Sequence, residues 1–131
     1  MTQKSFYYPE VALLITHYNR SASLERLLLA FKSLDCRFGQ VVVSDDGSTY
    51  DHVARLEKLR EVHGITLLLG TKKAGLGYNI NKVQDAVSCR YTLYVQEDFE
   101  PTSQFPSVLD NDLSFMERDP TPDLVRFYGV F

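Results

Sequence analysis

Residues 42–48 run Val42-Val43-Ser44-Asp45-Asp46-Gly47-Ser48, and the rest of the chain is best read outward from them. The stretch from Gln40 to Val43 is short, largely apolar and β-branched, which suits a strand buried inside a parallel sheet. It stops abruptly at two carboxylates, a glycine and a hydroxyl. Those polar groups then fall at the carboxyl end of the strand, where ligands bind in open α/β sheets. A carboxylate there can accept hydrogen bonds from a base or a sugar, and Gly47 lets the backbone turn close to a ligand. The same four residues also read as a turn followed by a helix cap before Tyr50.

Upstream, Val11 to Ile15 reads as a first buried strand ending in Thr16-His17-Tyr18-Asn19-Arg20. Ser21 or Ser23 can cap the next segment. Leu24, Leu27, Leu28 and Phe31 recur at helical spacing, so residues 22–34 read as an amphipathic helix. Downstream of the strand at 40–44, Asp51 to Val62 is expected to be helical, with Val53, Leu56 and Leu59 on one face. Gly64 stops that helix, and Ile65 to Leu69 is a third strand.

A basic loop punctuated by glycines follows, from Gly70 through Lys72, Lys73 and Gly75 to Gly77. A helix is expected over residues 78–87, with Ile80, Val83 and Val87 inward. Tyr91 to Val95 is a fourth strand, ending in Gln96-Glu97-Asp98. Phe105 to Glu117 is a further helix, and Asp123 to Phe131 reads as a fifth strand. Strands alternating with helices imply a mostly parallel sheet, with helices on both faces and right-handed crossovers. No repeat, low-complexity segment or linker divides the chain, so residues 1–131 are expected to form one domain.

Composition narrows the function. With 131 residues, 44% hydrophobic and 24% charged, the chain can bury a real core. A formal net charge of −3 argues against a nucleic-acid binder held by bulk electrostatics. Cys36 and Cys89 have no neighbour at metal-binding spacing and read as reduced structural thiols. No stretch is apolar enough to span a bilayer, and the amino terminus has no signal-peptide core, so a cytoplasmic location is expected. A membrane anchor elsewhere in a longer chain stays open.

Three successive strands thus end in polar clusters: Thr16-His17-Tyr18-Asn19, Asp45-Asp46-Gly47-Ser48 and Glu97-Asp98. In a parallel sheet these ends share one edge. Two clusters are acidic and the loop between them is basic. That pattern suits a nucleoside diphosphate with a divalent cation, for which carboxylate oxygens are the natural ligands.

In their order and spacing these motifs, with Asn81 ahead of Glu97-Asp98, resemble the nucleotide-sugar-binding half of a family 2 glycosyltransferase with the GT-A fold. The resemblance runs from Val11 to about Pro101. It implies inverting transfer of a sugar from a nucleoside-diphosphate donor, a UDP-sugar first, to a hydroxyl acceptor. It implies a nucleotide-binding set of Thr16, Tyr18, Asn19, Asp45, Asp46, Gly75, Asn81 and Glu97. Tyr18 would lie near the base, Asp46 would accept from the ring nitrogen of uracil, and Glu97 would face the ribose or sugar. Asp98 would ligate Mn2+ or Mg2+.

Gln96 departs from the pattern, because many relatives carry an acid there. The general base belongs to the acceptor half in relatives, so none is assigned, and the chain is expected to be the donor-binding part with the acceptor half absent. The apolar segment Leu124 to Phe131 raises the expectation of homodimers or aggregation. His17 is expected to be a packed loop histidine, and Lys72 and Lys73 to be solvated. A non-catalytic nucleotide-binding module is the first rival. A sugar nucleotidyltransferase is weaker, because residues 16–23 lack a glycine-rich basic loop. A Rossmann dinucleotide enzyme is weaker still, because no Gly-x-Gly-x-x-Gly follows Ile15.

Overall fold

The structure, a computed structural model, describes residues 5–70 and 89–118. Four strands form one parallel sheet: β1 (Phe6–His17), β2 (Cys36–Asp45), β3 (Thr66–Leu68) and β4 (Tyr91–Gln96). Three helices accompany them: α1 (Ser21–Ser33), α2 (Tyr50–His63) and α3 (Phe105–Arg118). The sheet order is β3-β2-β1-β4. The chain steps outward from β1 to β2 to β3, then returns to the far side of β1 for β4. Right-handed crossovers in one direction of travel place α1 and α2 on one face. The reversal leaves a crevice between the carboxyl ends of β1 and β4.

Every strand expected within the described residues is present, with shifted ends. β1 and β2 start earlier than their most apolar residues. Phe6, Tyr7 and Tyr8 pair with Cys36, Arg37 and Phe38, and the ladder resumes at Ala12–Gln40 after an irregularity. There the single residue Gly39 lies opposite Pro9-Glu10-Val11. A Cβ on Gly39 would sit 2.2 Å from the Pro9 carbonyl oxygen, so only glycine lets the two backbones meet. Gly64 ends α2 as expected, in the left-handed conformation at φ 68°, with its N–H bonded to the Arg60 carbonyl at 2.9 Å.

The core follows the alternation of the strands. Val11, Leu13 and Ile15 of β1, with Val43, Leu93 and Val95, face one side. Leu24, Leu27, Leu28 and Phe31 of α1, Leu56 and Leu59 of α2, and Phe105 and Leu109 of α3 pack against them. The Phe105 ring meets Phe31 and Phe99 edge-on, with centroids 5.4 and 5.9 Å away. Leu14 and Val42 point to the other side, beside Leu68 and Tyr94. Thus the three described helices share one face. The helix expected over 78–87 and the fifth strand expected over 123–131 lie outside the described residues.

The start of α1 differs from expectation. Neither Ser21 nor Ser23 caps it; Arg20 stands at the cap position without a side-chain cap bond. Ser21 is buried, and its hydroxyl donates to Nδ1 of His52 in α2 at 2.8 Å. The hydroxyl is used to join two helices rather than to satisfy α1's own first turn. Cys36 and Cys89 are free thiols, as expected. Burial pushes the Cys36 thiol up to about 12, with help from nearby Asp110 and Asp35, so it stays protonated. Among the described residues, no helix is long and apolar enough to cross a membrane.

Candidate functional site

The carboxyl ends of β1 and β4 frame an open depression lined by Thr16, His17, Tyr18, Arg20, Gln96, Glu97 and Asp98. The register explains the grouping, since Thr16 lies directly beside Gln96 in the β1–β4 ladder. Thr16 is buried, and its hydroxyl shares a 3.0 Å hydrogen bond with the Tyr94 hydroxyl. Glu97 is mostly sheltered, with 15% of its side chain exposed, whereas Asp98 projects further, at 57%. Burial raises the Glu97 carboxyl above its ordinary range. The Arg20 guanidinium hangs over both acids, 3.9 Å from Glu97 and 4.0 Å from Asp98. These are loose contacts at an exposed arginine and contribute little to stability. They put a mobile-length cation beside two carboxylates at the edge where a charged ligand would enter.

Behind the depression lies a buried network. Nδ1 of His17 donates to Asp45 Oδ1 at 2.9 Å, and both side chains are fully buried. Nε2 of the same ring accepts the Arg20 N–H at 3.1 Å. An accepting Nε2 fixes the proton on Nδ1, so the ring is the neutral tautomer facing a carboxylate. The other Asp45 oxygen accepts from the Gly47 and Ser48 N–H groups at 3.2 and 3.0 Å. Burial alone would raise the Asp45 carboxyl; hydrogen bonds from His17 and Ser48 outweigh it and hold the group below its ordinary range. Asn19 adopts φ 51°, donates its N–H to the Ser48 hydroxyl and accepts the Thr49 N–H on its side-chain oxygen, both at 2.8 Å. The loops after β1 and β2 are therefore laced together.

Of the residues proposed for the nucleotide, Thr16, Tyr18 and Glu97 meet in the depression with Asp98. Asn19 stands beside it, bonded to the β2 loop. Asp45 is wholly buried and spends its carboxylate on the fold of that loop. Asp46 is buried one residue on, its N–H held by the His17 carbonyl at 2.9 Å. Gly75 and Asn81, and Lys72 and Lys73 with them, lie outside the described residues. Arg20, Ser48 and Tyr94 are additional participants. Ser48 and Arg20 stood inside the quoted motifs, so position could have flagged them. Tyr94 reads as an ordinary strand aromatic, and nothing in sequence separates it from core.

The family resemblance implies a divalent cation. Among the described residues, no group of three or more His, Cys, Asp and Glu side chains has the geometry to hold one. Glu97 and Asp98 supply two carboxylates, and Gln96 brings no charge. That donor set fits an ion that arrives with a diphosphate and completes its shell with phosphate oxygens and water. It does not fit a cation caged by protein alone.

A family model described as glycosyl transferase family 2 matches residues 12–120. No curated protein sequence matches the chain. Among solved structures, the mannosyltransferase PcManGT from Pyrobaculum calidifontis, in complex with GDP-Man and Mn2+, superposes with a TM-score of 0.71 at 20% identity. The match covers 92% of this chain and 37% of that one. S. aureus TarS 1-349 in complex with UDP-GlcNAc superposes with a TM-score of 0.66 at 21% identity, over 83% of this chain and 31% of that one. At such identities the likeness establishes the fold. The chain spans little more than a third of the solved structure with the higher of these two scores.

Proposed function

Because the chain belongs to glycosyl transferase family 2, we propose that it binds a nucleoside-diphosphate sugar in the crevice between β1 and β4 for transfer to a hydroxyl acceptor. The observation that carries this reading is the depression itself. It lies at the reversal of strand order and is lined by Thr16, Tyr18, Glu97 and Asp98, with the cation Arg20 beside them. Solved structures of the same fold hold GDP-Man with Mn2+ and UDP-GlcNAc, which supports a nucleotide-sugar ligand of this class.

In this reading, Tyr18 flanks the base, and Asp46 accepts its imide N–H. The uracil ring carries such a donor beside two carbonyls, so UDP is the first choice of nucleotide. Asp98 holds the cation that comes with the diphosphate, and Glu97 faces the sugar or ribose. When bound, the cation offsets negative charge on the leaving diphosphate. Asp45 and His17 keep the two loops in place and touch no ligand. Inversion at the anomeric carbon also needs a base for the acceptor hydroxyl; no residue of this chain is assigned to it.

Calorimetric titration of the chain with UDP, GDP, CDP and ADP, each with and without Mn2+, tests the reading. UDP should bind most tightly, and Mn2+ should strengthen it. Equal binding of all four, indifferent to the metal, would remove the basis for a donor site here.

A further inference from the structure

His17 is buried at the carboxyl end of β1, and one ring nitrogen is tied to the end of β2 while the other is tied to the turn after β1. Nδ1 donates to Asp45, whose carboxylate folds the Gly47–Ser48 turn beside Asp46. Nε2 accepts the Arg20 N–H, at the turn that carries Arg20 toward Glu97 and Asp98. The His17 carbonyl also accepts the Asp46 N–H, so ring and backbone act on the same junction. His52 lies behind the ring, with centroids 6.3 Å apart, and is itself tied to Ser21.

We propose that His17 is a positioning residue that couples the nucleoside half of the donor site to its diphosphate half, one half through each ring nitrogen. The inference rests on the donor reading above. The Nδ1 bond sets the loop that bears Asp46. The Nε2 bond sets the backbone from which Arg20 reaches the acidic pair. A ring in one fixed tautomer transmits a shift at either bond to the other, because both sit on one rigid plane. A histidine serving only to fill the core would give no such division of effect.

Two substitutions separate the bonds. His17→Asn can keep a donor near the Nδ1 position and loses the acceptor at Nε2. His17→Gln can reach the Nε2 position with an acceptor and loses the donor to Asp45. Wild type is first titrated with UDP and with GDP in Mg2+, and the tighter one is taken as reference. NMR titrations then compare its free nucleoside with inorganic pyrophosphate in Mg2+. His17→Asn should weaken pyrophosphate roughly tenfold while nucleoside affinity stays within about twofold. His17→Gln should do the reverse. In wild type, nucleoside and pyrophosphate should each strengthen the other, and both variants should lose that cooperation.

Equal losses for both fragments in both variants, or no loss in either, overturns the coupling role while leaving the donor reading standing. Wild type that binds neither UDP nor GDP overturns the donor reading and this inference with it. If the His17 variants do not melt cooperatively, Ser48→Ala removes the hydroxyl that donates to Asp45 Oδ1 and accepts the Asn19 N–H, and so cuts this branch from the outer side. It should weaken the nucleoside roughly tenfold and spare magnesium pyrophosphate. Loss of both to the same degree then counts against the proposal.

Discussion

At the scale of single residues, the first of the two adjacent carboxylates at the end of β2 is committed to the fold. Asp45 is fully enclosed by His17, Gly47 and Ser48 and shapes the loop. In the donor reading proposed above, its neighbour Asp46 meets the base. Asp46→Asn should weaken UDP by about 1.5–3 kcal/mol, the range for a hydrogen bond to a charged group, measured calorimetrically in Mn2+. Glu97 presents the opposite bargain, because burial raises its carboxyl above the ordinary value of 4.5. A carboxyl raised in the folded state binds its proton more tightly there than when unfolded. The contribution of Glu97 to stability is then fully present below 4.5 and falls as pH rises through the window above it. Glu97→Gln should therefore melt at a higher temperature than wild type at pH 7, with the gap closing toward pH 4.5. Its affinity for UDP with Mn2+ should fall in the same variant, the trade expected when a group is kept for binding rather than stability. Thermal melts across that pH range, paired with titration at pH 7, check both halves.

At the scale of elements, the strands and helices were legible wherever one pattern ruled a segment. The Leu24, Leu27, Leu28, Phe31 stripe gives α1, and all four are buried as its spacing requires. Gly64 marks the end of α2 through its left-handed backbone. The early halves of β1 and β2 were not legible. Phe6 to Tyr8 and Cys36 to Phe38 carry no clean apolar run, and they become strands by pairing with each other across the irregularity at Gly39. Side-chain partnerships across elements were equally hidden, because nothing in spacing ties Ser21 to His52 or Thr16 to Tyr94. The acidic clusters of the candidate site were legible because polar residues interrupt apolar runs. The burial and bonding of Asp45 were not, because they depend on His17, on the neighbouring strand. The two glycines make a paired test. Gly39→Ala forces a Cβ against the rigid Pro9 backbone and should cost about 1–3 kcal/mol, as overpacking does. Gly64→Ala has open space around it and should cost about 1 kcal/mol, from its φ alone. Urea denaturation of the two variants gives the order; a costlier Gly64→Ala would mean that the β1–β2 irregularity yields.

At the scale of the whole molecule, the fold is a device for bringing three strand ends to one edge. The order β3-β2-β1-β4 makes β1 central, so its carboxyl end meets the loop of β2 on one side and the acids of β4 on the other. The two sides differ in kind. The β2 side is knitted by buried hydrogen bonds, whereas the β4 side joins Glu97 and Asp98 to Arg20 only loosely. In the donor reading, a cation entering with a diphosphate would take the place of the guanidinium beside Glu97 and Asp98. Asp98→Ala should accordingly abolish the gain in UDP affinity that Mn2+ confers and leave metal-free binding within about 0.5 kcal/mol, the usual effect of a surface substitution. Amide chemical-shift mapping of the chain on addition of UDP, with Mg2+ and then with traces of Mn2+, tests the central claim most directly. Shifts should concentrate at residues 16–20, 45–49 and 96–98, and Mn2+ should broaden resonances around Asp98 first. Perturbations confined to the amino ends of the strands, around Tyr8, Cys36 and Asp110, or an unchanged spectrum at saturating UDP, would contradict a donor site between β1 and β4.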